Sequence, residues 1–151
     1  MTRELTVDTP VGAVTITESD GAVTALRWGG AGCDDSPLLN RAAAQLDQYF
    51  NRLRCEFDLP LRVDASPAQT RICAAIAAIP HGETRSYGDI ARDLDMSAQA
   101  VGRGCGGNPI PIFIPCHRVL GAQGLGGFSG GAGVETKVWL LRHEGAGALL
   151  I

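Results

Sequence analysis

The residues of this sequence best suited to chemistry are Cys116 and His117, adjacent in the run Pro115-Cys116-His117-Arg118-Val119. A cysteine is a nucleophile only as its thiolate, and a neighbouring imidazole is the usual base or cationic partner that supplies it. Adjacent side chains of a straight strand point to opposite faces. Pro115 must therefore bend the chain if both groups are to share one cleft, with or without a water between them. A histidine acting as base also needs an orienting acceptor, and the carboxylate of Glu144 in Arg142-His143-Glu144-Gly145 is a candidate. A bare Cys-His pair is more often a buried thiol beside a surface histidine, and a carboxylate at a helix C-terminus gains nothing from the helix dipole. The flanking residues have to decide between these readings.

The remaining cysteines (Cys33, Cys55, Cys73 and Cys105) bring the total to five, an odd number with no CxxC pair. That spacing excludes a disulfide framework and a Cys-rich zinc site. Most of them are expected to be reduced, small and buried. With only Cys33 and Cys55 in the first half and no histidine before His81, no metal is expected there. A hydrophobic content of 45% with 19% charged residues describes a globular chain. No apolar run approaches the ~20 residues of a membrane span. Met1-Thr2-Arg3-Glu4-Leu5 carries no apolar secretory segment, so the cytoplasm is the expected compartment. The net charge of −3 speaks against a strongly basic nucleic-acid binder, but residues 1–66 hold six Arg against ten Asp or Glu, and residues 67–151 seven Lys or Arg against six. Any phosphate contact should come from the second half.

The elements that must position this chemistry follow from periodicity. Leu5-Thr6-Val7, residues 12–17 and residues 22–28 alternate apolar and polar side chains across turn residues, which predicts a β-meander. Residues 38–54 carry Leu39, Ala42, Leu46, Tyr49, Phe50 and Leu53 at amphipathic helical spacing. Phe57, Leu59, Leu61 and Val63 then alternate as a closing strand. Ser66-Pro67 opens a second unit as N-cap and first helical residue, and that helix ends at Pro80. Residues 86–94 and a second short helix capped by Ser97 and reaching about Gly104, separated by Asp95-Met96, have the form of a helix-turn-helix. A Gly-rich loop over 121–133 and a last helix with Val134, Val138, Leu140 and Leu141 complete the chain.

The run Gly107-Asn108-Pro109-Ile110-Pro111-Ile112-Phe113-Ile114-Pro115-Cys116-His117-Arg118-Val119 closely resembles the active-site signature of the O6-alkylguanine-DNA alkyltransferases. The resemblance extends to Ile79–Gly88, to Gly127-Phe128-Ser129-Gly130-Gly131 and to Trp139–Gly145, and is dense from about residue 67 to 145. Several motifs in order are a far more specific signal than one short motif. The resemblance implies an α+β fold, with a sheet-and-helix domain over 1–65 and a winged-helix-like, helix-turn-helix domain over 66–151 that carries the active-site Cys.

It implies stoichiometric, irreversible transfer of an alkyl group from O6-alkylguanine (and O4-alkylthymine) in double-stranded DNA to Cys116, without a cofactor. The chain would act as a monomer with no membrane partner. The implied roles make Cys116 the acceptor, His117 and Glu144 the relay that ionises it, and Asn108 a brace for the active-site segment. Tyr87 would contact the flipped base and protonate the departing guanine. Ser129 would hydrogen-bond the base, and the carbonyls of Cys116 and Val119 would read its exocyclic edge. Arg118 would tie the loop down. Flipping is required because the alkyl group lies inside the base stack. A recognition helix about 10 Å across entering a minor groove about 6 Å wide needs a slim face. Ala98, Ala100, Gly102 and Gly104 suit that need. Where the family carries an intercalating Arg this chain has Gln99, the turn between the two short helices is two residues shorter, and Phe128 replaces a common Tyr. Arg103 is positioned to supply a phosphate contact. The alternative is a lesion-binding relative that does not transfer; such proteins lack the acceptor Cys that this chain has.

Overall fold

The computed structural model describes residues 1–122 and 124–146; Gln123 of the Gly-rich loop and the end of the expected second domain, 147–151, lie outside the described residues. The chain divides into two compact units, Met1–Asp64 and Ala65–Ile151. Among the described residues no helix is long and apolar enough to cross a membrane.

The first unit is an antiparallel meander, β1 (Thr2–Val7), β2 (Val14–Ser19) and β3 (Ala22–Trp28), with α1 (Pro37–Phe50) packed on it. Asp20 and Gly21 join β2 to β3, both at positive φ (48° and 82°), the geometry of a tight hairpin turn matched to strand twist. Ser36 caps α1 by accepting from the Leu39 N–H, and Pro37 follows in the first turn. Leu39, Ala42, Leu46 and Tyr49 form its buried stripe, and Val14, Ile16, Val23 and Leu26 are the buried positions of the sheet.

Two expectations fail in this unit. The helix stops at Phe50 instead of Arg54: the Asn51 amide donates to the Asp47 carbonyl, Arg52 takes a positive φ of 62°, and Leu53 is left 78% exposed. Phe57, Leu59, Leu61 and Val63 do not form a strand. Only Leu61 bridges to Val23, through Val23 N–H to Pro60 O (2.8 Å) and Arg62 N–H to Val23 O (3.0 Å). Pro60 has no N–H to extend the ladder. Phe57 packs on Tyr49 at 5.3 Å between ring centroids, and Gln45 holds the Asp58 backbone.

The second unit contains α2 (Pro67–Ala77), β4 (Arg85–Ser86), α3 (Tyr87–Leu94), α4 (Ala98–Gly106), a 3-10 turn (Cys116–Arg118), β5 (Val119–Leu120) and α5 (Val134–His143). Ser66 and Ser97 cap α2 and α4, and Ser86 with Asp89 forms a reciprocal capping box on α3. Asp95, left-handed at φ 55°, turns the chain between α3 and α4, so the expected helix-turn-helix is present. α4 packs on α2 where residue 104 has no side chain: a Cβ on Gly104 would sit 2.5 Å from Ile72 Cδ1. The parallel pairing of β4 with β5 sets Arg85 opposite Val119 and so brings the start of α3 beside the residues that follow His117. The α+β class is as expected.

The cysteines depart from expectation. Cys33 and Cys55 are exposed, Cys105 is half-buried, and Cys73 is the only buried thiol besides Cys116. Cys33 bridges to Leu5 beside β1, and Cys55 follows α1, both outside the apolar stripe of that helix.

Candidate active site

The segment before Cys116 is a tight turn stitched by one side chain. Asn108 Oδ1 accepts the Ile110 N–H (3.0 Å), and Asn108 Nδ2 donates to the Ile114 carbonyl (2.8 Å). The Ile114 N–H closes the turn on Ile110 O at 2.8 Å, with Ile112 inside it at φ 73°. A β-branched residue in the left-handed region is strained by ~1–3 kcal/mol and persists only where its surroundings over-determine it. The Asn108 clamp and the burial of Ile110, Ile112, Phe113 and Ile114 supply that constraint.

Pro115 then bends the chain into the 3-10 turn, so Cys116 and His117 do not follow strand alternation. Both side chains are buried, Cys116 to 7% exposure and His117 fully. Burial pushes the Cys116 thiol up, against the opposing pull of the Asn108 amide and the Lys137 ammonium.

His117 Nε2 lies 2.8 Å from Glu144 Oε2. Arg118 binds the same carboxylate through Nε to Oε1 (2.8 Å) and Nη2 to Oε2 (2.9 Å), and donates Nη1 to the Ile79 carbonyl (2.6 Å). Burial alone would raise Glu144; the hydrogen bonds from His117 and Arg118 outweigh it and hold the carboxyl well below its ordinary range. Burial pushes His117 below its ordinary value, and Glu144 only partly restores it. The consistent state is a neutral imidazole whose Nε2–H donates to an ionised Glu144. Nδ1 then carries the free lone pair, and it is the one buried side-chain polar atom without a hydrogen-bond partner among the described residues. Such a group is an explained exception only if something else uses it.

Sequence reasoning passes over Lys137. This side chain on α5 is fully buried, with Nζ donating to Val119 O (2.7 Å) and Gly127 O (3.2 Å) and lying 5.9 Å from the Tyr87 ring centre. Burial lowers it to about 8, with negative charge at Cys116 and Cys105 acting the other way. The signal was available: Lys137 shares a face with Leu140, Leu141 and Glu144 at helical spacing, a cation inside a buried stripe.

Tyr87, half-buried at the first turn of α3, is pushed up by burial and by the nearby Cys105 and Cys116 thiols, while a hydrogen bond from the Gly127 backbone pulls the other way. The Gly-rich loop touches it closely, since a Cβ on Gly126 (φ +73°) would come within 2.8 Å of Tyr87 Oη. The structure thus groups Cys116, His117, Glu144, Asn108, Tyr87 and Lys137 around one segment. The Val119 carbonyl already accepts from Lys137, and the Cys116 carbonyl accepts the Val119 N–H that closes the 3-10 turn. Ser129 lies exposed on the loop.

On α4, Val101 and Gly104 are buried, while Ala98, Gln99 and Arg103 are exposed and Ala100 and Gly102 half-buried. Gly104, expected on the slim face, is turned instead against Ile72 of α2, and small residues reach the outward side only at Ala98, Ala100 and Gly102, beside the longer Gln99 and Arg103. Arg92 and Arg85 pair with Asp89 and Asp93, and Arg71 donates to the Leu94 carbonyl. Among the described residues no cluster of three or more His, Cys, Asp or Glu side chains is arranged to hold a metal ion.

Residues 67–146 match the model of the 6-O-methylguanine DNA methyltransferase DNA-binding domain, and residues 2–63 match that of the ribonuclease-like domain of the same proteins. The methylated-DNA–protein-cysteine methyltransferase of Mycolicibacterium paratuberculosis is 42% identical over 150 residues, covering 92% of this chain and 90% of that protein. The crystal structure of the Mycobacterium tuberculosis O6-methylguanine methyltransferase is similar at a TM-score of 0.85 and 36% identity, covering 97% of this chain and 94% of that one. A structure of Mycobacterium tuberculosis OGT in complex with DNA matches at a TM-score of 0.83 and 38% identity, over 96% and 92% of the two chains. The chain belongs to the 6-O-methylguanine DNA methyltransferase family.

Proposed function

We propose that this protein repairs DNA by moving the alkyl group of O6-alkylguanine onto Cys116 in one stoichiometric step. The observation that carries the reading is the buried, unpartnered Nδ1 of His117, next in the chain to the buried Cys116 thiol and held in its tautomer by Glu144 at 2.8 Å. His117 Nδ1 takes the thiol proton, directly or through one water, and Glu144 stabilises the imidazolium that forms. The thiolate attacks the alkyl carbon, the carbon–O6 bond breaks, and a thioether remains. Tyr87, kept protonated by its surroundings, donates a proton to the departing guanine. No group in the site reverses the thioether, so each molecule acts once.

The lesion reaches Cys116 by flipping out of the duplex, because the alkyl carbon is inaccessible in the stack. The outward face of α4, with Ala98, Gln99, Ala100, Gly102 and Arg103, lies in the minor groove. Ser129 and the carbonyls of Cys116 and Val119 contact the flipped base. Residues 66–151 carry the DNA contacts and the chemistry, and residues 1–65 form the accessory domain. The protein works as a monomer in the cytoplasm.

The test is a titration with a duplex carrying a single O6-methylguanine. Repaired lesion should rise to one equivalent per protein and stop, whatever the excess of DNA. Turnover beyond one equivalent contradicts a suicidal acceptor, and selective binding without repair points to a lesion sensor.

A further inference from the structure

The helix α4 and the turn that leads to Cys116 are joined through two adjacent glycines, Gly106 and Gly107, just before Asn108. Glycine backbone is permissive, so this junction alone would let the helix swivel against the turn. A side chain from α2 ties it down. Gln69 donates Nε2 to the carbonyl of the buried Gly104 at 2.8 Å. The last four carbonyls of a helix have no partner within it. Here Arg103 O accepts the Gly107 N–H (2.9 Å), Cys105 O accepts the Asn108 N–H (3.3 Å), and Gly104 O is taken by Gln69.

Gln69 reaches the turn as well as the helix. Its Oε1 lies against Gly107, where a Cβ would come within 2.8 Å of it. Its Nε2 is also 3.3 Å from Cys73 Sγ, and the Cys73 thiol faces Asn108 Oδ1 at 3.9 Å, the atom that accepts the Ile110 N–H. Burial pushes the Cys73 thiol up, more than Gln69 pulls it down, so the sulfur keeps the proton it offers to Asn108. One amide thus touches the end of α4, the residue before Asn108, and the thiol that abuts the Asn108 clamp.

We propose that Gln69 is a positioning residue that holds α4 in register with the active-site turn, so that a lesion delivered by the helix meets Cys116. The proposal rests on α4 as the DNA-facing helix and on Cys116 as the acceptor. Gln69 acts through Gly104 and Asn108 and not on the reacting atoms. Without its amide, Gly104 still packs on Ile72, and Asn108 still bonds Ile110 and Ile114. Helix and turn each keep their shape, and the tie between them is lost. A misplacement of about 1 Å set up away from the chemistry can cost about a hundredfold in rate.

The experiment compares the wild type with Gln69→Met, similar in length but without a donor, and with Gln69→Lys, which keeps a donor for a helix-end carbonyl. Three quantities are measured: binding to undamaged duplex by fluorescence anisotropy, transfer from the free O6-benzylguanine base, and single-turnover transfer from a saturating duplex carrying O6-methylguanine. In Gln69→Met the first two should match wild type, while transfer from the duplex should fall at least tenfold. Gln69→Lys should recover it. Should Gln69→Met fail to fold, Gln69→Glu, with the same shape and no donor, takes its place. Equal duplex transfer in wild type and Gln69→Met overturns the proposal, as does a loss shared equally by the free base, which marks general damage to the site. A Gln69→Lys rate as low as that of Gln69→Met also overturns it. A wild type that transfers from neither substrate overturns the repair function itself and this proposal with it.

Discussion

Glu144 holds His117 and Arg118 at once, with His117 Nε2 and Arg118 Nη2 converging on the same Oε2 at 2.8 and 2.9 Å. The carboxylate therefore sets the tautomer of the proposed base and neutralises a buried guanidinium. Glu144→Gln should abolish transfer and cost about 3–5 kcal/mol of stability, because it strands the Arg118 charge. Glu144 sits below its ordinary value in the folded state, so its contribution is present above the unfolded carboxyl pKa and is lost as pH falls through the folded one. His117 acts in the same direction: lowered by burial, it stays neutral in the fold while the unfolded chain takes up its proton below about 6.5. Thermal melts carried from pH 7 down to about 2 should show an acid loss that continues below the ordinary carboxyl pKa and is shallower there in Glu144→Gln. Equal slopes would contradict the account.

Lys137 is expected to matter more for function than for stability. Its value of about 8 in the fold, against 10.5 for a free side chain, means that burying the charge costs roughly 3 kcal/mol at neutral pH. Stability should rise as pH goes from about 8 to 10.5, where the unfolded chain holds a proton the folded one has shed. The difference between wild type and Lys137→Met should therefore grow in favour of wild type across that window. Transfer should fall at least tenfold in Lys137→Met and should decline in the wild type above pH 8, as Val119 and Gly127 lose their shared ammonium. A flat stability difference and unchanged transfer would remove Lys137 from the site.

The strained turn makes a third prediction. Asn108→Ala removes both the Ile110 and Ile114 hydrogen bonds that hold Ile112 at φ 73°. The loss should be about 2–3 kcal/mol of stability and at least a hundredfold in transfer rate. Asn108→Asp keeps the acceptor and loses the donor, so it should fall between wild type and Asn108→Ala in stability. A ranking with Asn108→Asp as stable as wild type would show that the bond to Ile114 does not constrain the turn.

On α4, Gln99 supplies shape without charge. Gln99→Arg should tighten binding to undamaged duplex and steepen the salt dependence, by about 0.9 in the log–log slope for one added phosphate contact. Fluorescence anisotropy across a salt series measures this. An unchanged slope would mean that Gln99 does not lie on the DNA-facing surface.

Much of this structure was legible because its signals are local. Ser66, Ser86 and Ser97 stand at three helix starts, and the Asp20-Gly21 pair makes its hairpin from two adjacent residues. Glu144 was legible as a partner for His117 through the family resemblance of Trp139–Gly145, not from its own placement at a helix end. What escaped is set by long-range packing. Lysine on a helix ordinarily reads as solvated, and only the surrounding stripe marks Lys137 as buried. The alternation from Phe57 to Val63 imitates a strand until Pro60 is asked for an N–H it does not have. The positive φ of Ile112 has no local signature, because the Asn108 clamp and the buried turn impose it against the preference of the residue.

The central claim is that Cys116 itself becomes the alkylated residue. The protein should be incubated with duplex DNA carrying one O6-methylguanine, digested, and its peptides weighed beside a Cys116→Ala control. A single methyl group on the Cys116 peptide, absent from the control, is the predicted result. A methyl group on another cysteine, or repaired DNA with no mass change at Cys116, would contradict it.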